Sequence, residues 1–313
     1  MLKYLIILLD DTAVSFCHYR VAAKQARLIS PEVLQKGIFF AMTENLNIQL
    51  VYPSSPLPEA YHAIIESADH TDIKPWSSDV TTDVSVVDTA NLLDGFTPDS
   101  TGCYVWNTSK ADFFTHYPLL TKILGQVKRL NVVIADIDTF TTEDFDRYNS
   151  ALNMLAEQLH MLYEKGAAPQ LNLLSDRLLL NQMNNCNAGV ESVTLTPDGK
   201  FYICPAFYYD PEGEAVGDLE SGLNIKNQQL YQLDHAPLCR RCDAYQCRRC
   251  VWLNHRTTLE VNTPSHEQCV AAHLERNASR NLLLALQRSN SVMSQQTIPE
   301  INYLDPFDNR EEQ

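Results

Sequence analysis

The sequence predicts an α/β fold with a separate Cys-rich segment toward its C-terminal end, on three observations. Short apolar runs bounded by turn residues alternate with amphipathic stretches through residues 1–178. One long stretch beginning at Thr141 has strict helical periodicity. Seven of the nine cysteines fall between positions 186 and 269. Strands that alternate with helices imply a parallel sheet of βα units.

Taken in order, strands are expected at 4–9, 48–52, 84–87, 103–106 and 131–135, with helices at 31–44 and 113–124. The first run ends at once in Asp10 and Asp11, with no small-residue cleavage site, so it reads as a buried strand rather than a signal peptide. After Thr141 and Thr142, the residues Phe145, Tyr148, Leu152, Leu155, Leu159 and Leu162 recur at spacings of three and four. That puts them on one helical face, against a core. Thr141 with Asp144 has the form of a capping box, and Gly166 suits the C-terminal stop. From Val193 to Cys204, two short alternating runs flank Asp198-Gly199, a strong hairpin signal. The organisation expected is an α/β domain over 1–178, a Cys-rich metal-binding domain over 179–275, and a C-terminal helix and tail over 276–313. The last stretch carries several prolines and acids, as a surface tail does.

The 313 residues carry a formal net charge of −15, a balance that repels phosphate backbones. No run approaches the roughly 18 apolar residues of a membrane span. The expectation is therefore a protein with no nucleic-acid or membrane partner. Without an export signal it is expected in the cytoplasm. Thiols stay reduced there, so clustered cysteines read as metal ligands or catalysts rather than disulfides.

Cys239-x2-Cys242-x4-Cys247-x2-Cys250 is a compact four-ligand run. Two Cys-x2-Cys pairs allow backbone turns to point paired thiolates at one centre. Four thiolates suit zinc or an iron–sulfur cluster. One zinc site would leave Cys186, Cys204 and Cys269 unused, so the ligand count favours iron–sulfur. Arg240, Arg241, Arg248, Arg249 and Arg256 crowd the run, opposed in the sequence by Asp243. Guanidinium groups offset the net negative charge of thiolate-bound clusters, although such a crowd can equally be a solvated face or a docking patch.

The order Cys186-x12-Gly199-x4-Cys204, the four-cysteine run and Cys269 resembles the SPASM domain, the C-terminal extension of many radical SAM enzymes that modify peptides. The match covers about residues 180–275, and the central spacing is x2, x4, x2 where the usual pattern is x2, x5, x3. The resemblance implies two [4Fe–4S] clusters. Cys186, Cys204 and Cys250 would hold the first, and Cys239, Cys242, Cys247 and Cys269 the second. No cysteine near Leu180 supplies a fourth ligand to the first cluster. The first domain is similar to a partial or degenerate (β/α) barrel of the radical SAM kind. In that fold the loop after the first strand carries Cys-x3-Cys-x2-Cys. Here it reads Asp10-Asp11-Thr12-Ala13-Val14-Ser15-Phe16-Cys17-His18-Tyr19, with one cysteine. SAM is therefore not expected to be cleaved by this chain alone. The whole chain resembles the CXXX repeat peptide maturase family. That implies maturation of a Cys-rich precursor peptide by an iron–sulfur component, working with a separate radical SAM enzyme.

Asp10, Asp11 and Cys17 are weak catalytic candidates, because strand C-termini form the functional face of barrel-like folds. The alternative is a turn with ordinary carboxylates and an inert thiol. Cys103 reads as core. His235, His255, His266 and His273 flank the cysteine run as possible substitute ligands, each read singly as a surface histidine. No Ser-His-Asp set, phosphate loop or dinucleotide fingerprint occurs. The competing functional readings are a zinc-stabilised peptide-binding adaptor and an independent enzyme built on the Asp10, Asp11 and Cys17 face.

Overall fold

A computed structural model of the chain describes residues 1–21, 26–77, 82–289 and 297–299. Nearly all of the expected C-terminal tail lies outside the described residues. In chain order the first elements are β1 (Tyr4–Leu8), α1 (Pro31–Thr43), β2 (Asn47–Val51), α2 (Glu59–Ile65), β3 (His70–Pro75) and β4 (Val84–Val87). Next come α3 (Thr89–Leu93), β5 (Cys103–Thr108), α4 (Lys110–Ile123), β6 (Arg129–Ile134), α5 (Thr142–Glu164), β7 (Gln170–Leu171) and α6 (Ser175–Leu179). The rest are β8 (Ser192–Leu195), β9 (Phe201–Tyr202), α7 (Pro205–Tyr209), β10 (Gly217–Asp218), β11 (Gly222–Leu223), α8 (Val251–Thr258) and α9 (His266–Arg288). They fall into two compact units, Met1–Val87 with Asn187–His235, and Asp88–Cys186 with Ala236–Gln313. The Cys-rich segment 179–275 contributes to both.

The first unit is built on strands in the order β4-β3-β2-β1-β8-β9, parallel except for the antiparallel β8–β9 pair. In β1, Leu5 lies beside Ile48 and Val193, and Ile7 beside Leu50 and Leu195. All six are buried, with Leu34, Ile38 and Ala41 of α1 packed into the same core. Ser30 caps α1 by accepting from Val33 N at 3.2 Å, and Pro31 begins the first turn, where its missing N–H costs nothing. The hairpin turns where the sequence predicts: Gly199 has φ +78°, a conformation glycine adopts without a Cβ penalty. β3 is an addition to the expected strands. Asp72 pairs within it with His70 at 3.4 Å and Lys74 at 2.5 Å, so it lacks the apolar alternation that marks a strand in sequence.

The second unit carries the parallel strands β7-β6-β5 and the long helices α5 and α9. α5 buries Phe145, Tyr148, Leu152, Leu155 and Leu159, the face its periodicity predicts. The capping box at its start is present: Thr141 N donates to Asp144 Oδ2 at 2.9 Å and Asp144 N to Thr141 Oγ1 at 3.3 Å. Gly166, at φ +81°, follows its end. Both units are α/β with a mainly parallel sheet, the class the sequence predicts. No helix among the described residues is long and apolar enough to cross a membrane.

Candidate functional site

The loop after β1 is tied down by its own polar groups. Asp10 is buried, and its Oδ1 accepts from Thr12 N at 2.7 Å and Thr12 Oγ1 at 2.6 Å, closing a tight turn. Asp11 is also buried; it accepts from the Tyr208 hydroxyl and lies 3.3 Å from Arg27 Nε. Arg27 Nη2 in turn donates to Tyr208 Oη at 2.6 Å. Burial first, then the Asp11 carboxylate, pushes the Tyr208 phenol up. Tyr19 is buried and stacked on Tyr209, with ring centroids 5.3 Å apart. Its phenol is raised by burial, then by Tyr209 and the Cys17 and Cys204 thiols, which places both cysteines near this ring. Cys17 and Cys204 are half-buried, and Cys204 stands at the N-terminus of α7.

In the second unit the cysteine run is a series of tight turns. Cys239 opens a 3-10 turn, Cys239–Arg241, and is buried. Cys242 N donates back to Cys239 O at 3.0 Å, and Ala244 N approaches Cys242 Sγ at 3.4 Å. Arg249 N donates to Cys247 Sγ at 3.5 Å. Cys250 precedes α8, and Cys269 lies in the first turn of α9, which Ser265 caps by accepting from Gln268 N at 3.2 Å. Burial, followed by Cys239, Cys242 and Cys269, drives the Cys247 thiol well up. Burial and Cys242 raise Cys239 to about 11; burial, Cys239 and Cys242 raise Cys269 to about 12. Cys239, Cys242 and Cys269 each disfavour ionisation of another thiol of the run, as neighbouring like charges do.

Cys186 is exposed, and its N–H donates to Arg248 O at 3.0 Å, so it lies along the same run. Cys250 is half-buried in this unit, whereas Cys204 belongs to the first. Among the described residues, no three or more His, Cys, Asp or Glu side chains surround a single metal position. Cys239, Cys242, Cys247 and Cys269 are soft donors of the type a four-thiolate centre uses, two of them in a Cys-x2-Cys turn, but their side chains do not converge on one position in this arrangement.

The basic residues around this run separate into different roles. Arg240 and Arg241 are exposed. Arg256 pairs with Asp138 and lies 4.7 Å over the Trp252 ring. Arg248 Nη2 donates to Asn131 Oδ1 at 3.3 Å, and Arg249 is almost fully buried. Asp243 lies among buried guanidinium groups. It accepts from Arg276 Nε at 2.9 Å and Nη2 at 2.8 Å, with Arg177 Nη2 at 3.4 Å. Of the flanking histidines, His235 and His266 are exposed and His255 is half-buried. His273 is not on the surface: it is buried, with Nε2 3.4 Å from Cys242 Sγ. The sequence carried a signal for it, since Cys269 and His273 are four apart on one helix. Cys103 is half-buried at the start of β5, short of the core position expected for it.

No family model and no curated protein matches this sequence. Solved structures do match. The chain superposes on anSMEcpe with bound AdoMet at a TM-score of 0.62 and 11% identity, over 92% of this chain and 100% of that one. The chain shares that architecture. The structure of anSMEcpe with bound AdoMet and the Cp18Cys peptide gives 0.60 over the same shares, also at 11% identity. That with the Kp18Cys peptide gives 0.58 over 91% of this chain and 100% of that one. A likeness at this identity establishes architecture, and function must be argued from the side chains.

Proposed function

We propose that this chain acts in the maturation of a Cys-rich, CXXX-repeat precursor peptide, as an iron–sulfur component beside a separate radical SAM enzyme. The observation that carries the reading is that Cys239, Cys242, Cys247 and Cys269 lie in one unit of a chain that shares its architecture with anSMEcpe, and that neighbouring thiols raise Cys239, Cys247 and Cys269. The solved relatives with bound Cys peptides support peptide maturation as the setting. The loop after β1, with Cys17 as its one cysteine, supports assigning SAM cleavage to another chain.

Cys239, Cys242, Cys247 and Cys269 would hold one [4Fe–4S] cluster, and Cys186 and Cys250 would contribute to a second. When bound, the clusters would supply one-electron transfer and an iron site open to a thiolate. The chain's own residues do the rest. Backbone N–H groups of Ala244 and Arg249 meet Cys242 and Cys247 sulfurs and lower the cost of their negative charge. His273 packs against Cys242, fixing one rim of the set.

Iron and sulfide analysis of anaerobically prepared protein tests this reading. About eight irons per chain and a brown colour are expected for two [4Fe–4S] sites. Cys247→Ser should lose iron, whereas Cys17→Ser should retain it. A colourless chain with one zinc would overturn the redox reading in favour of an adaptor whose metal supplies folding energy only, since four thiolates also satisfy tetrahedral zinc.

A further inference from the structure

Arg276 and Arg280 lie four apart on α9, and so on one face of it. Arg276 holds Asp243 through Nε at 2.9 Å and Nη2 at 2.8 Å. Arg280 Nε donates to Ile298 O at 3.0 Å, and Ile298 is buried. The chain beyond α9 therefore returns to that helix one turn, about 6 Å along the axis, from the Asp243 clamp. Arg240 and Arg241 stand three and two positions before Asp243 and are exposed, with Pro237 and Leu238 exposed beside them. All of these residues belong to the second unit. A basic and apolar rim of this kind stands out in a chain of net charge −15.

Residues 300–313 follow Pro299, the last described residue. They carry Glu300, Asp305, Asp308, Glu311 and Glu312 against Arg310, with Ile301, Tyr303, Leu304 and Phe307 among them. We propose that this acidic segment is the occupant of the Leu238, Arg240 and Arg241 rim and covers it in the free protein. Carboxylates pair with guanidinium groups and aromatic rings stack on them, so the composition of 300–313 matches both the charge and the apolar part of the rim. Reach suffices: from Ile298 to Asp305 an extended chain spans about 24 Å, several helical turns. Single exposed ion pairs contribute little, but a tethered segment acts at an effective concentration on the order of millimolar. The segment is then a built-in competitor, and an acidic peptide or protein gains the rim by displacing it. The contact needs no metal in the thiol run, so it stands apart from the proposed function.

The test follows, on the full chain at low and high salt, backbone hydrogen exchange of residues 300–313 and cleavage after Glu300 by a glutamate-specific protease. Wild type should show protection at low salt that is lost at high salt, because exposed charges are screened. Arg240→Glu with Arg241→Glu should abolish the protection and raise the cleavage rate severalfold. Adding Asp305→Lys with Asp308→Lys to that variant should restore it. Asp305→Asn with Asp308→Asn leaves the described residues untouched and should give the same loss; it decides if the arginine variant does not fold. An unprotected segment in wild type at low salt would overturn the proposal, as would protection that neither pair of substitutions changes. Protection that grows with protein concentration would also overturn it, by assigning the segment to the rim of a second copy.

Discussion

Glu275 on α9 is a carboxyl group placed where its charge is poorly solvated. It is buried among Tyr148, whose hydroxyl donates to Oε1 at 2.7 Å, and Gln246, whose Nε2 donates to Oε2 at 3.2 Å. Burial raises its pKa to about 7 from 4.5; the two hydrogen bonds pull it down and Asp176 adds to the rise. The folded chain therefore holds this proton more tightly than the unfolded chain does. The resulting stability is fully present below the unfolded value near 4.5 and is lost as pH rises through 7. Linkage over that interval gives on the order of 3 kcal/mol. Glu275→Gln should flatten the dependence of the urea midpoint on pH between about 5 and 8, and a slope matching wild type would exclude this group as its source. Asp243 poses the opposite problem, a carboxylate balancing two buried guanidinium groups, with Arg276 fully buried and Arg177 nearly so. Asp243→Asn should cost about 3 kcal/mol in urea unfolding, because it strands buried charge. At this scale the tight Cys239–Cys242 turn was legible, since Cys-x2-Cys spacing is local. The Asp243 clamp was not. Its partners are 33 and 66 residues away, and no periodicity links them.

Among the elements, α9 matters most to the candidate site, because its first turn carries Cys269 and its second His273. Ser265 satisfies one of the N–H groups left open there. Ser265→Ala should lower stability by about 1 kcal/mol and, by fraying the turn that holds Cys269, reduce metal retention as well. Unchanged metal content with the full stability loss would show that Cys269 does not depend on the cap. Elements with a strong local rule were readable before folding: α5 from its spacing and box, the β8–β9 hairpin from Asp-Gly, β1 from its apolar run. α8 and the start of α9 were not, because cysteine, arginine and histidine there serve the thiol set and its surroundings and mask the helical stripe. β3 was missed for a related reason. Its polar side chains His70, Asp72 and Lys74 pair with one another, and Ile73 alone of the strand is buried.

Taken as a whole molecule, the chain puts its apolar resources and its thiols to different uses. The first unit closes around Leu5, Ile7, Leu50, Val193 and Leu195, a core with no need of metal. In the second unit, residues 236–250 bury few large apolar side chains and are held by turns, the Asp243 clamp and thiols that repel one another when ionised. Such a segment would gain order from a metal that bound the folded arrangement and not the unfolded one, as the proposed function requires. Hydrogen exchange, followed before and after anaerobic chelation, should therefore respond unevenly. Amides from 239 to 250 and in the first turn of α9 should lose protection, while those of β1 and β2 keep theirs. Local opening of this kind reflects the low apolar contact of the segment rather than failure of the global fold. Equal loss in β1 would mean that the metal stabilises the molecule as one cooperative block. No change anywhere would mean that the thiol turns stand by their hydrogen bonds alone.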